Sequence, residues 1–544
     1  REHFEYIDRE YYRENMVDEN YLQAMWKLKT GYKSFIPDQT IPVVMPHVET
    51  VVTHLSDVFL SSYPIFGVVS SPENMDVAQQ MEAIIKENST RCGWARQLQL
   101  FFRDGAKFNR AAVEVDWKEH YYYSADQGTP KSTGAIEPKK LLWEGNEIRR
   151  LDPYNTFCDL TVPISEVHSK GEFAGYIEMV SRVRLKEILR DLPTEFTTNA
   201  RTAFESGLGQ NVNYHFPEVN RSSLLAARDF LATNMGGSSS AGIDWDAWVG
   251  LTGAKKVISY QNFYELTTLF ARIIPSEFAM EIEQRNTPQI WKFIIVNGQV
   301  VIYAERMTNA HKYLPTIFSQ PVEDGLNYQT KGIAENVIPS QDSASALWNS
   351  SLNAKRRAIY DRIFYDPSRI KKEDINVANP IARVPVKSAT YGKGVAEAVY
   401  IAPQNDTHSA QMIQEARELR QFANELNGLN APMQGQFQKG NKSRKEWDDT
   451  MGRSNGRMQS HALAIEYQTM VPIKHIIRSN IMQYQASGVI TPPGGSSAKI
   501  DAAALRKSEI QFTLSDGMLP SDKIVPPEML QAFLQFASAV PAVQ

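Results

Sequence analysis

The sequence has little of what a disulfide scaffold, a metal site or a membrane span requires. Its 544 residues contain only two cysteines, Cys92 and Cys158, which excludes a disulfide framework and a cysteine-rich metal site; we expect both to be buried thiols. No run approaches the ~20 apolar residues of a membrane span, so we expect no contact with a membrane. No signal-peptide pattern opens the chain, and its start at Arg1 rather than Met indicates that N-terminal sequence is missing.

An excess of charge of either sign is also lacking. The formal net charge is −4, and the 42% hydrophobic and 22% charged residues are ordinary for a globular protein. The length is too great for one ordinary domain. Because the chain as a whole has no basic surface of the kind that a free DNA-binding domain carries, any contact with nucleic acid must be local.

Sequence motifs of common enzymes are missing as well. There is no phosphate-binding loop and no His-Glu-x-x-His, and Gly392-Lys393-Gly394 lacks the hydroxyl residue that opens the helix of a phosphate loop. His47 and His54 share a helix face but lie ~10.5 Å apart along it, which is too far for one metal ion. We therefore predict no enzyme, no catalytic residue, no cofactor and no metal site, and we place the two histidines in a core or an interface.

The first part of the chain has the pattern of helices followed by antiparallel strands. Hydrophobic periodicity predicts helices over 42–62, 74–90 and 94–108, and strands over 111–117 and within 151–182 and 257–304. The composition of 118–150 favours a mobile hairpin or loop, and that of 193–255 favours an insertion. Asn297-Gly298 between two apolar runs predicts a two-residue hairpin, because both central positions need positive φ.

The last third is mainly helical. Two amphipathic helices are predicted, over 341–366 and 406–426, on either side of a Pro-punctuated segment of short β-like runs over 367–405. A glycine-rich loop over 427–445 follows the second helix. A long helix then reaches 487, and Pro472 predicts a bend in it.

This order of elements resembles the portal protein of tailed bacteriophages, of the podovirus-like type. The segments VVTHLSDVFLSSYPIFGVVS, WARQLQLFFRDGAKFNRAAVEVDW, RRLDPYNTFCDL and SEIQFTLSDGMLPSD are similar to the wing and crown of that family. The resemblance implies an α+β portal fold. Its parts would be an N-terminal wing over 1–340, a first stem helix over 341–366, a small α/β clip over 367–405, a second stem helix over 406–426, a tunnel loop over 427–445, a long kinked wing helix over 446–487, and a strand and helix at the crown base over 488–544.

The same resemblance implies a structural role in the virion. Family members form homo-oligomeric rings, commonly dodecamers, at one capsid vertex, where double-stranded DNA passes during packaging and ejection. Expected partners are other copies of the chain, double-stranded DNA without sequence specificity, the major capsid protein, the terminase and tail adaptor proteins; the expected location is the virion, and the host cytoplasm during assembly. Two alternatives remain open, which are another virion component such as a capsid or tail-tube subunit, and a terminase-like nucleic-acid enzyme.

Three groups of residues are the candidates for these contacts. The tunnel loop and its flank offer a DNA-facing set, unless the loop is merely solvated: Lys439, Lys442, Arg444, Lys445, Gln434, Gln436 and Gln438. The clip offers a basic set that faces either DNA or an acidic adaptor or terminase surface: Arg369, Lys371, Lys372, Arg383, Lys387 and Lys393. The apolar stripes of the two stem helices offer a subunit interface: Trp348, Leu352, Ile359, Ile363, Met412, Ala416 and Leu419.

The loop assignment predicts the effect of reversing its charge. Replacing Lys439 and Lys442 with Glu should leave ring assembly intact and impair DNA packaging or retention, because the loop would repel phosphates instead of attracting them. Particle imaging measures assembly, and nuclease-protected DNA per particle measures packaging. Loss of the ring itself would place the two lysines in an assembly contact instead.

Overall fold

The computed structural model describes the chain in segments. They are residues 1–11, 39–62, 64–123, 139–192, 196–199, 202–203, 214, 263–278, 284–324, 330–359, 363–371, 385–387, 398–401, 407–428, 456–490, 492, 497–508 and 510–513. The chain divides into two compact units. Unit 1 comprises 1–12, 45–336 and 428–544, and unit 2 comprises 13–44 and 337–427. Unit 2 is thus built around one continuous stretch of chain that interrupts unit 1.

The described elements are helices and strands of short or medium length. The helices are α1 Glu2–Tyr11, α2 Val44–Leu60, α3 Met75–Cys92, α4 Trp94–Phe108, α5 Val167–Lys170, α6 Arg182–Asp191, α7 Ile333–Ile359, α8 Thr407–Asn427, α9 Gly456–Ile465, α10 Val471–Tyr484 and α11 Ala502–Lys507. The strands are β1 Val68–Ser70, β2 Ala111–Tyr123, β3 Lys139–Leu151, β4 Thr156–Cys158, β5 Phe173–Ser181, β6 Phe263–Ile273, β7 Gln289–Val296, β8 Val300–Met307, β9 Thr316–Ser319, β10 Ile363–Tyr365, β11 Val399–Ile401, β12 Gly488–Ile490, β13 Ala498–Ile500 and β14 Ile510–Phe512.

All of the described strand pairs are antiparallel. Unit 1 contains a three-stranded sheet in the order β3-β2-β9, a five-stranded sheet in the order β4-β5-β6-β7-β8, and the two-stranded pairs β1-β14 and β12-β13. Unit 2 contains the pair β10-β11. Helices and antiparallel sheets in one chain make this an α+β protein, as predicted.

Helices α3 and α4 follow from the sequence pattern. Gly93 lies between them with φ of 60°, a left-handed conformation that glycine adopts at little cost, and it ends α3 before Trp94 begins α4. Trp94, Leu98 and Phe101 are spaced to share one face of α4, and all three are essentially buried. The predictions over 74–90 and 94–108 are confirmed.

The turn after β7 has the positive φ values that were predicted, but its loop is one residue longer than the predicted two. Asn297 and Gly298 have φ of 53° and 66°, and the Gln299 amide donates to the Val296 carbonyl at 3.1 Å. The strands resume their pairing at Val296 and Val300, so the loop has three residues rather than two. The pairing also shifts register between Ile294 and Ile295.

Of the two alternatives predicted over 118–150, a hairpin or a loop, the hairpin is confirmed for the described residues. Strand β2 continues to Tyr123, and β3 begins at Lys139, so the two form a long hairpin with a register shift after His120. The rings of His120 and Trp143 lie 5.0 Å apart across this pair. The exposed positions of these strands include both polar residues, Glu119 and His120, and apolar ones, Leu141 and Leu142.

The helices of the last third differ from prediction at their ends. Helix α7 begins earlier than residue 341 and stops at Ile359, and Ile363 instead starts strand β10, so it does not continue a helical stripe with Trp348. The β-branched and aromatic run Ile363–Tyr365 favours a strand. Helix α8 closely matches its prediction and is followed by Gly428 with φ of 68°.

The long helix predicted to reach 487 is described from Gly456 onward and is interrupted. A π-helical turn, Glu466–Met470, separates α9 from α10. Pro472 has no N–H to donate to the carbonyl of Gln468, so the regular ladder cannot continue there. Within the turn, Glu466 is fully buried and pairs with Lys474 at 2.6 Å. The missing N–H of Pro472 therefore explains the interruption of the helix, and the pair of Glu466 with Lys474 stabilises the turn.

Charged side chains lie buried between the two large sheets of unit 1. Glu114 of β2 accepts from Arg149 of β3 at 3.1 Å and from the Tyr176 hydroxyl of β5 at 3.3 Å. Arg149 also reaches Glu178 of β5 at 2.8 Å. Burial alone would raise the pKa of Glu114, but the charges of Lys118, Arg149 and Lys292 outweigh it and lower the pKa to about 2. These contacts hold one sheet to the other.

Removing the Glu114 carboxylate should destabilise unit 1 and change its acid sensitivity. Because the pKa is lowered from 4.5 to about 2, the carboxylate contributes stability fully above pH 4.5 and loses it as the pH falls toward 2. We expect Glu114→Gln to lower the free energy of unfolding near neutral pH by about 3–5 kcal/mol, since Arg149 would lose a buried partner. Denaturant unfolding at several pH values measures both effects.

The exposed Glu119 lies on the same strand and provides a control. Glu119→Gln should change the free energy of unfolding by less than about 1 kcal/mol. An acid-unfolding profile of Glu114→Gln that matches the unsubstituted protein between pH 4.5 and 2 would show that the cross-sheet pair does not stabilise the fold.

Candidate assembly interface and channel residues

Polar side chains along one face of α7 bind the segment that precedes α2. The Gln341 side-chain oxygen accepts from the backbone amides of Val43 and Val44, at 2.9 and 3.0 Å. The Ser345 hydroxyl accepts from the amide of Ile41 at 3.1 Å. Positions 341, 345, 348 and 349 fall on one face of a helix. We call residues 39–44 together with this face the strap; all of it belongs to unit 2.

The far end of the strap is a reciprocal contact with Gln39. Asn349 accepts from the Gln39 amide at 2.9 Å and donates to its carbonyl at 3.0 Å, and the Trp348 indole donates to its side-chain oxygen at 3.0 Å. Trp348 was predicted to lie in a subunit interface. The indole N–H binds a segment of its own chain, Trp348 is half-buried, and its place in a subunit interface stays a prediction.

At its near end the strap satisfies the start of a helix. Helix α2 begins at Val44, and the first amides of a helix have no partner within the helix itself. Gln341 supplies an acceptor to one of these amides and to the amide before it, and it is 1% exposed. A side chain that caps a helix from another element leaves no pattern in the local sequence. The capping role of Gln341 was therefore not predicted.

Helix α8 presents two faces of different character. Ala416 and Ala423 are buried within the chain, and the predicted role of Ala416 in a subunit interface stays a prediction. Met412 and Leu419 are half-buried. The exposed large apolar side chains of this helix are instead Phe422, 53% exposed, and Leu426, 42% exposed.

Phe422 and Leu426 are four residues apart, so they form neighbouring parts of one surface on α8. Around them, glutamine and glutamate side chains pair at the same spacing, namely Gln411 with Glu415, Gln414 with Glu418, and Gln421 with Glu425, at 3.0, 3.0 and 3.2 Å. We call Phe422 and Leu426 the α8 apolar pair. It is a water-exposed apolar surface on an otherwise polar helix face.

The basic residues predicted for the clip do not share one environment. Arg369 is buried, 8% exposed, and its predicted contact with DNA or an adaptor stays a prediction. Its carbonyl accepts from the Lys387 amide at 3.0 Å. Lys371 and Lys387 are exposed. Lys372, Arg383 and Lys393 lie outside the described residues.

The predicted tunnel loop also lies outside the described residues beyond its first two positions. Lys439, Lys442, Arg444, Lys445, Gln434, Gln436 and Gln438 therefore remain sequence predictions. In the first stem helix, Leu352 is half-buried, and the backbone of Ile359 ends α7.

The described residues offer little for metal chemistry or thiol chemistry. No group of three His, Cys, Asp or Glu side chains among them is arranged to hold a metal ion, and none of their helices is long and apolar enough to cross a membrane. His47 and His54 are buried. Cys158 is buried as predicted, and Cys92 is half-buried, with burial raising the pKa of its thiol to about 12.

Truncating Gln341 should release the strap. Gln341→Ala removes the acceptor for two buried amides, which should lower the free energy of unfolding by about 1–3 kcal/mol. Hydrogen exchange at Val43 and Val44 should become faster. Ser343→Ala, at an exposed position of the same helix, is the matched control and should leave exchange unchanged. Unaltered protection in Gln341→Ala would show that the strap does not depend on this side chain.

Comparison of the sequence with models of protein families and with curated proteins found no match in either set.

Proposed function

We propose that this chain is the portal subunit of a tailed bacteriophage, which forms a homo-oligomeric ring for the passage of double-stranded DNA. One observation carries the proposal. The segment 337–427, which holds most of α7, the pair β10-β11 and α8, belongs with 13–44 to one compact unit, and the chain directly before and after it, 45–336 and 428–544, belongs to the other. A helix, a small β element and a second helix that interrupt a larger unit along the chain have the order expected of the stem and clip of a portal.

The elements that flank this segment support the same assignment. Before it lie helices and antiparallel sheets, the arrangement expected of a portal wing. After it come α9 and α10, with the π-helical turn Glu466–Met470 between them, in the place of the kinked wing helix. In this proposal the chain acts as a structural channel, so its function lies in assembly and surface charge rather than in catalysis.

A ring needs two different surfaces that meet head to tail. The α8 apolar pair is suited to be part of one of them, because it exposes a phenylalanine and a leucine to water on a helix that is otherwise polar. Covering large apolar side chains contributes roughly 1.5–3 kcal/mol each. Repeated at every subunit boundary, this gain favours a closed ring.

Contact with DNA in this proposal is made by few positive charges in each subunit. Lys371 and Lys387 are exposed in the clip, and Lys439 and Lys442 are predicted in the loop. Contacts with phosphates carry no sequence information, as a channel for any genome requires. Ring symmetry multiplies each lysine by the number of subunits, which reconciles DNA contact with a chain of net charge −4.

Charge in the α8 apolar pair should disrupt the ring. Phe422→Glu with Leu426→Glu should shift the purified chain from a large oligomer to monomers or small oligomers, because each boundary would bury unpaired carboxylates. Mass photometry across a concentration series measures the shift. Ala410→Glu adds the same type of charge at an exposed site near the start of α8 and should leave the oligomer intact.

Far-ultraviolet circular dichroism of the double variant should match the unsubstituted protein, which separates lost assembly from lost folding. If the double variant assembles as fully as the unsubstituted chain, the α8 apolar pair lies outside the interface. A chain that is monomeric without any substitution would contradict the portal proposal itself.

A further inference from the structure

Unit 1 contains a cavity that the portal assignment does not use. It lies among α10, α11 and the turn after β8, and its volume is about 570 Å³. Its polar lining comes from His475, Arg478, Ser479, Gln483 and Arg506, and Met482 and Ala310 complete the lining. None of the described residues that line it is an aspartate or a glutamate.

The acceptor groups at the edge of this cavity are already in use. The Gln483 side-chain oxygen accepts from the Ala310 amide at 2.9 Å, and its nitrogen donates to the Thr308 carbonyl at 3.0 Å. The Met482 carbonyl accepts from the Arg506 Nε at 2.9 Å. These bonds fix Gln483 and Arg506 in place. The terminal nitrogens of Arg506 and the hydroxyl of Ser479 stay chemically suited to donate to a ligand.

The Arg478 guanidinium is the least satisfied group in the cavity. Its Nε is shielded from solvent and has no hydrogen-bond partner within the described part of the chain. His475 lies one helical turn away, and burial, followed by the positive charge of Arg478, lowers its pKa. A protonated His475 would place a second positive charge beside the shielded guanidinium of Arg478. That arrangement is unfavourable unless an anion binds between the two groups.

We propose that this cavity binds a phosphate group, with Arg478 as its principal ligand and Arg506 and Ser479 as further donors. A guanidinium presents parallel N–H groups that match two phosphate oxygens, and phosphate offers acceptors to the donors of Arg478, Arg506 and Ser479. Free phosphate and the phosphate of a nucleic-acid backbone share this chemistry. The site belongs to unit 1 alone and does not depend on ring formation.

Calorimetric titration of the full chain with inorganic phosphate, at constant ionic strength in chloride, tests the proposal. We expect saturable binding that weakens about tenfold or more in Arg478→Gln, because the charge-assisted bonds are lost. Arg478→Lys keeps the charge without the planar fork and should fall between the two. Arg184→Gln removes an exposed arginine of α6 and should bind phosphate as the unsubstituted chain does.

Competition with a short DNA duplex identifies the source of the phosphate. Displacement of the duplex by inorganic phosphate, lost in Arg478→Gln, would assign the site to a nucleic-acid backbone. Saturable phosphate binding that leaves duplex binding unchanged would assign it to the free ion. Absence of saturable phosphate binding, or equal affinity in folded Arg478→Gln and the unsubstituted chain, would overturn the proposal, and neither result bears on whether the chain forms rings.

Discussion

Buried charge between the two large sheets of unit 1 constrains much of this structure. A carboxylate without a partner is very costly in such a place, so Glu114 must meet Arg149, and Arg149 in turn meets Glu178 on the opposite sheet. Asp116 and Lys292 form a second bridge between the sheets at 3.6 Å. These pairs are satisfied only when both sheets have their observed registers. The ion pairs therefore join the two sheets of unit 1 into one frame.

The sequence predicted those features whose cause is local. Gly93 and Gly428 end helices because they adopt positive φ, and Asn297 with Gly298 turns a hairpin for the same reason. Features that depend on distant residues were missed. The capping by Gln341 acts on a segment far away in the chain, and the length of β2 is fixed by its pairing with β3. The order of the elements along the chain thus predicted which segments form the candidate site. It did not predict the surroundings of the individual side chains.

The portal proposal depends on architecture, and the proposed chemistry depends on a few exposed groups. Ala416 and Arg369 are buried within the chain and the Trp348 indole N–H binds Gln39, whereas Phe422 and Leu426 are exposed. Phe422 and Leu426 are therefore the stronger candidates for the subunit interface. What stays exposed after the chain has folded is the better guide to an interface.

Direct imaging of the purified full-length chain tests the central proposal. Averaged electron-microscopy images should contain closed rings with an opening along the symmetry axis, in preparations concentrated enough to favour assembly. Images that contain only monomers and small oligomers under those conditions, or open filaments without a central opening, would contradict the portal assignment.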